Sequence, residues 1–172
     1  MSDLSLIKEL REKTGAGFLD CKNALSENDN NIEQSIDSLR KKGLAKATKK
    51  SSREANEGAV GFYANQNISV ILKINSETDF SAKSDTFLDF LDSIGNIALS
   101  TNNTNLNLND LLKVEHNGKS ISDLLTEMIA KIGENLIINE FKVYDNKESK
   151  VNFYIHNPYR KNIGKIVSAV FY

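Results

Sequence analysis

Apolar positions at the start of the chain recur every three or four residues: Leu4, Ile7 and Leu10, then Phe18, Cys21 and Leu25, then Ile32, Ile36 and Leu39. Each set falls on one face of a helix. Thr14-Gly15 stops the first helix. The third opens at Asn30, with Glu33 three positions on in capping-box spacing, and closes at Gly43. Residues 1–43 therefore predict a compact trihelical module near the lower size limit for independent folding. Residues 44–57 read as a basic linker helix.

Past the linker the period drops to two. Gly58 to Ala64 and Ile68 to Ile74 flank a tight Asn65-Gln66-Asn67 turn, with Val70, Leu72 and Ile74 on one face of a hairpin. A lone hairpin needs a covering layer. Two helical patterns supply it: Asp85 to Leu99, with Phe87, Leu91, Ile94 and Ala98, and Ile121 to Ile132, with Leu124, Leu125, Met128 and Ile129. Ser120 and Asp123 stand at capping-box spacing before the second, and Gly133 ends it. Leu136 to Tyr144 gives a third strand, so 58–145 is expected to form an α+β core lobe with an antiparallel sheet and helices in segregated layers. Phe62-Tyr63-Ala64-Asn65 is echoed by Phe153-Tyr154-Ile155-His156 ahead of a second apolar strand, Ile163 to Phe171. This weak repeat marks 146–172 as strands of a reduced second lobe, either trimmed or completed by another subunit.

Charge narrows the function classes. With 22 basic and 23 acidic side chains in 172 residues the net charge is -1, so no global positive field points to nucleic acid. The one local exception is Arg40, Lys41, Lys42, Lys46, Lys49, Lys50 and Arg53, a run without an intervening acid. It suits a solvated or partner-facing helix, a nucleic-acid patch or a polyanionic membrane site, but it lacks an aromatic stacking platform. The single cysteine, Cys21, forms no internal disulfide and suits both a reducing compartment and a small buried apolar position. Neither a signal-peptide core nor a run of eighteen apolar residues is present, so a cytoplasmic protein with no membrane partner is expected.

Enzymatic constellations are sparse. His116 and His156 are the two candidate neutral-pH bases, they fall in different elements, and neither has a sequence-local acid of defined role. Gly15-Ala16-Gly17 lacks the lysine and the preceding strand of a phosphate loop, and one cysteine makes no thiolate metal cluster. No catalytic residue, cofactor or metal is assigned. A different kind of site is suggested by Ile74 to Lys83, where a strand gives way to a helix. There Asp79 and Phe80 stand side by side, and an unpaired acid resists burial by several kcal/mol. Either the pair is presented for recognition, or Asp79 or Ser81 caps the next helix while Phe80 staples it from outside.

Several segments carry a family resemblance. Leu10-Arg11-Glu12-Lys13-Thr14-Gly15-Ala16-Gly17-Phe18-Leu19-Asp20-Cys21-Lys22-Asn23-Ala24-Leu25 resembles the amino-terminal signature of bacterial elongation factor Ts, and Glu77-Thr78-Asp79-Phe80 with Ala82-Lys83 resembles its second signature. Leu39 to Ala47, Ala130-Lys131-Ile132-Gly133-Glu134-Asn135 and His156 to Val167 are similar in the same order, so the resemblance spans nearly the whole chain.

The resemblance implies a guanine-nucleotide exchange factor promoting GDP release from elongation factor Tu during translation, with no covalent chemistry of its own. It implies that the trihelical module is ubiquitin-associated-like and docks on the partner's nucleotide-binding domain through Arg11, Phe18 and Leu19, with Phe18-Leu19 replacing the usual Met-Met pair. Thr78, Asp79 and Phe80 match the segment that enters the partner near its magnesium and phosphate site, and His156 with the following strands matches a lobe that touches a second partner domain. Ser81 stands where the family commonly has Val, and Asn139-Glu140 replaces a basic pair. Longer members complete the second lobe with helices, whereas other short members use one lobe and dimerise, so a monomer with a trimmed lobe and a homodimer are both compatible with the sequence. No DNA partner is implied. The rival classes are a small nucleic-acid-binding protein using the Arg40 to Arg53 run and a structural assembly protein whose incomplete repeat is finished by a neighbour.

Overall fold

A computed structural model describes residues 4–172, so the first three positions of the expected 1–43 module lie outside the described residues. The architecture is α+β, with helices at the amino-terminal end and a sheet with helices after them. The chain divides into two compact units, one of residues 4–52 with Thr126–Gly133, the other of Arg53–Leu125 with Glu134–Tyr172.

In the first unit, α1 (Leu4–Thr14), α2 (Phe18–Glu27) and α3 (Ile32–Lys50) surround Ile7, Leu10, Cys21, Ala24 and Leu25, against which Leu6, Ala16, Ile32, Ile36 and Leu39 pack. The periodic positions are thus the buried ones, and Cys21 is a core residue. The start of α3 falls one residue later than expected. Asn31 is its cap, accepting from the Gln34 amide at 3.0 Å, because Asp29 and Asn30 take positive φ in the preceding turn. Its end differs more, for the helix does not stop at Gly43 but continues to Lys50. Gly43 is buried inside it, and a Cβ there would meet that of Ala130 in α7 (Ile121–Ile132) at 3.6 Å, an ordinary van der Waals contact, so this glycine neither ends the helix nor is demanded by its neighbour.

The second unit is built on a five-stranded sheet in the order β5-β2-β1-β7-β6. The strands are β1 (Glu57–Ala64), β2 (Ile68–Ser76), β5 (Leu136–Asp145), β6 (Val151–Arg160) and β7 (Ile163–Phe171), and every neighbouring pair is antiparallel. A separate two-residue ladder joins β3 (Glu115–His116) and β4 (Lys119–Ser120), and α6 (Leu108–Leu111) precedes it. One face of the sheet carries Tyr63, Val70, Leu72, Ile74 and Phe141 beneath α5 (Asp85–Ser100), whose Phe87, Leu91, Ile94 and Ala98 are buried. Tyr63 lies so close over Gly95 that a Cβ there would overlap its ring, and its hydroxyl donates to the Leu91 carbonyl at 3.2 Å. In β5 both Ile138 and Phe141 face inward although three positions apart. A bulge opposite Lys73/Ile74 makes this possible by adding one residue to the strand.

The strands assigned to a reduced second lobe join this same sheet. They form a hairpin in which Phe153 stacks on Phe62 with ring centroids 4.3 Å apart and Phe171 stacks on Tyr144 at 4.6 Å. The covering layer on that side is therefore a hairpin rather than helices.

Candidate functional site

The junction after β2 is where the structure concentrates exposed chemistry. Strand β2 ends at Ser76, and a single turn, α4 (Asp79–Ala82), follows. Thr78 caps it, with its Oγ1 accepting from the Ser81 amide at 3.2 Å. Neither Asp79 nor Ser81 is the cap of the following helix. Ser84 holds that place in α5, accepting from the Phe87 amide at 3.3 Å. Phe80 does not staple α5 either, because it is 85% exposed, the most exposed large apolar side chain among the described residues. Its neighbour Asp79 accepts from Lys83 at 2.8 Å, and that bond holds the carboxyl below the ordinary carboxylate range while raising Lys83. Lys165, 2.6 Å from Glu57, lies in the same electrostatic neighbourhood, as does Tyr159.

Beneath the tip, Ala82 is fully buried and Ser81 nearly so. The Ser81 hydroxyl has no protein partner, a polar atom at the position where an apolar side chain was expected from the resemblance. Two carboxylates, one from each side, tie the turn to a segment more than fifty positions on. Glu134 accepts from the Thr78 amide at 3.1 Å and from its hydroxyl at 2.7 Å, while Glu77 accepts from the Asn135 amide at 2.6 Å and pairs with Arg53 at 3.4 Å. Sequence reasoning missed these supports. The one signal for them is the Glu134-Asn135 match within the family resemblance, since more than fifty positions separate the partners.

The remaining sequence-selected residues fall into two groups. In the helical unit, Arg11 is exposed in the last turn of α1, and Phe18 and Leu19 open α2 at 47% and 66% exposure. No side chain caps α2, which leaves its first turn to these two apolar residues. In the sheet unit, His156 lies on the outer face of β6 with Tyr154, whose hydroxyl is 3.4 Å from its Nδ1, and with Ile166 and Val170 of β7. An open depression runs beside it, lined by Phe153, Tyr159 and Arg160 among others. His116 is exposed in β3.

Much of the basic run is engaged locally. Lys42 pairs with Glu27, Lys46 with Asp20 and Arg53 with Glu77, and Lys50 donates to the Gly133 carbonyl. Acids from other elements thus interleave in space where none does in sequence. Among the described residues, no group of three or more His, Cys, Asp or Glu side chains is placed to hold a metal, and no helix is long and apolar enough to cross a membrane.

The geometry is thus that of an exposed aromatic on a capped and braced turn with an ion pair at its base. The family model described as Elongation factor TS matches residues 77–171, which begins at the brace and ends with the last strand. The chain belongs to the elongation factor Ts family. Relatives include the elongation factor Ts of Allorhizobium ampelinum, 44% identical over 94% of this chain and 52% of its own length, and that of Rhizobium etli, 43% identical over 96% and 54%. The elongation factor Ts of Rickettsia felis is 41% identical over 96% of this chain and 54% of its own length. The chain thus spans about half the length of the curated relatives it matches.

Proposed function

We propose that this chain is a guanine-nucleotide exchange factor that promotes GDP release from elongation factor Tu during translation, acting by conformational coupling rather than covalent chemistry. The observation that carries the proposal is Phe80, an 85% exposed aromatic beside the Lys83-bound Asp79 in a region that matches the family. An exposed aromatic loses water-facing surface only on meeting a partner, and buried aromatic anchors dominate interface energetics.

The turn Thr78-Asp79-Phe80 inserts into the partner's nucleotide-binding domain near its magnesium and phosphate site. The trihelical module of 1–43, ubiquitin-associated-like in character, docks on the same domain through Arg11, Phe18 and Leu19, with 44–57 as its linker to the core lobe of 58–145. His156 and the strands within 146–172 contact a second domain. Exchange then follows from linkage. The factor binds best to the GTPase conformation that holds nucleotide poorly, and by reciprocity tight nucleotide binding expels the factor by the same ratio. Site of action is the cytoplasm. The experiment is dissociation of a fluorescent GDP analogue from elongation factor Tu in excess unlabelled nucleotide. Acceleration that saturates with added chain is expected, and a rate unchanged at saturation overturns the proposal.

A homodimer is a second reading favoured by one observation, the exposed apolar face of Tyr154, Ile166 and Val170 on the β6–β7 hairpin. Light scattering over a concentration series reads it directly. A mass fixed at that of one chain removes dimerisation and leaves exchange untouched.

A further inference from the structure

Resting on the exchange reading, a further step concerns what holds Phe80 in place. The turn that carries it is four residues long, too short to be stable by its own hydrogen bonds. Its order must come from outside. Two dipeptides supply that order by exchanging side chains for backbone groups: Glu77 accepts from the Asn135 amide, and Glu134 accepts from the Thr78 amide. Asn135 is buried and its Nδ2 donates to the Arg53 carbonyl at 2.7 Å, so the far half of the clasp is itself fixed. Arg53 completes the ring by pairing with Glu77.

The second contact of Glu134 matters most. A threonine hydroxyl has one hydrogen and two lone pairs. In this structure the hydrogen goes to Glu134 Oε1 at 2.7 Å, which turns the lone pairs toward the Ser81 amide they accept from. The carboxylate therefore sets the direction in which Thr78 caps, and the cap sets the turn. A charge-assisted acceptor is also stronger than a neutral one. Phe80 lies between the cap and the residue it caps.

We infer that Glu134 is a positioning residue for the partner-binding turn, acting through the Thr78 hydroxyl to keep Phe80 in its presented orientation. Without it the turn samples other conformers. The presented one is then only a fraction of the population, and apparent affinity falls by that fraction while the rate at saturation is retained.

The test compares the parent chain, Glu134→Ala, Glu134→Gln and Phe80→Ala in the GDP-release assay across a full titration, with backbone amide exchange followed at Ser81 and Leu72. In Glu134→Ala the half-saturating concentration is expected to rise on the order of tenfold, with the rate at saturation unchanged. Ser81 protection should fall while Leu72 in β2 stays protected. Glutamine should recover only part of the loss, because its single oxygen can accept from the Thr78 amide or from the hydroxyl but not from both, and its NH₂ donates where the hydroxyl needs an acceptor. A half-saturating concentration equal to the parent's, in Glu134→Ala or in Glu134→Gln, overturns the positioning role through the Thr78 hydroxyl. A parent chain that accelerates nothing defeats the exchange reading itself, a result distinct from an active parent with an indifferent Glu134→Ala.

Discussion

The Lys83 ammonium lies 2.8 Å from the Asp79 carboxylate across one helical turn, and Phe80, next after Asp79, stands almost wholly in solvent. The ion pair fixes the base of the turn without covering the ring. Both partners are exposed, which limits what the pair adds to global stability. Its effect is local and electrostatic.

Titration of Asp79 should show this. Lys83 lowers its folded-state carboxyl, so the pair's contribution is present above the ordinary carboxylate value and is lost as pH falls through the depressed one. A carboxyl-carbon NMR titration should place the Asp79 midpoint below that of an unpaired aspartate, and Lys83→Met should return it toward the ordinary value. Asp79→Asn should slow GDP release with little change in melting.

Phe80→Ala separates presentation from packing. An 85% exposed ring contributes little to the core, so melting should stay close to the parent's. Loss of an interface anchor costs at least about 2 kcal/mol, on the order of 30-fold in half-saturating concentration. Parallel melting and GDP-release curves check both halves, and a folded variant with normal exchange defeats insertion.

Ser81 offers the opposite case. Its hydroxyl is buried without a protein partner, a condition that costs roughly 1–3 kcal/mol. Ser81→Ala should therefore raise stability by about 1 kcal/mol in urea unfolding, with exchange unchanged. A clear destabilisation would show that the hydroxyl is satisfied.

Gly95 and Tyr63 report on the seam between α5 and the sheet. Any Cβ at 95 meets the Tyr63 ring, so Gly95→Ala should cost about 1–3 kcal/mol by overpacking. Burial first, and Asp92 second, push the Tyr63 hydroxyl above the ordinary phenol value. Its contribution is thus complete below that value and declines as pH rises beyond it. Tyr63→Phe should remove this alkaline loss in melting curves recorded from neutral pH upward.

Cys21 reads the helical unit. Burial raises its thiol above the ordinary value, so the unit loses stability as pH climbs past that value, where the unfolded thiol ionises and the folded one does not. A thiol reagent should react with Cys21 only as fast as the helices open. Reaction at the rate of a free thiol would place it outside the core.

How much of this was legible depended on sequence distance. Phe87, Leu91, Ile94 and Ala98 announce α5 by spacing alone, and Ser120 with Asp123 announces a capping box that the structure contains at 3.1 and 3.3 Å. Gly43 misleads, because a glycine after an apolar stripe reads as a helix stop, whereas α3 runs through it to Lys50. Thr78 is a good cap by type, but Asp79 and Ser81 are too, and their neighbours in sequence do not rank them. What sets Thr78 apart in the structure is its pair of contacts with Glu134, far away along the chain. Nothing local reveals that β6 and β7 enter the first sheet either, since strand order is a property of pairing partners.

The β6–β7 hairpin pairs with itself from Val151 to Phe171, yet meets β1 at only Val60 with Gly164 and Gly61 with Ile163, plus the Phe62 amide on the Asn162 carbonyl. Elsewhere the hairpin is tied to the rest of its unit by side chains, the two ring stacks together with Lys165 on Glu57, Arg160 on Asp85 and Asp89, and Asn162 on Asp92, and not by ladder hydrogen bonds. So short a ladder seam predicts that the hairpin opens as its own foldon: amides at the β1–β7 seam should exchange faster than those of the β6–β7 ladder, while the α5 side of the sheet stays protected.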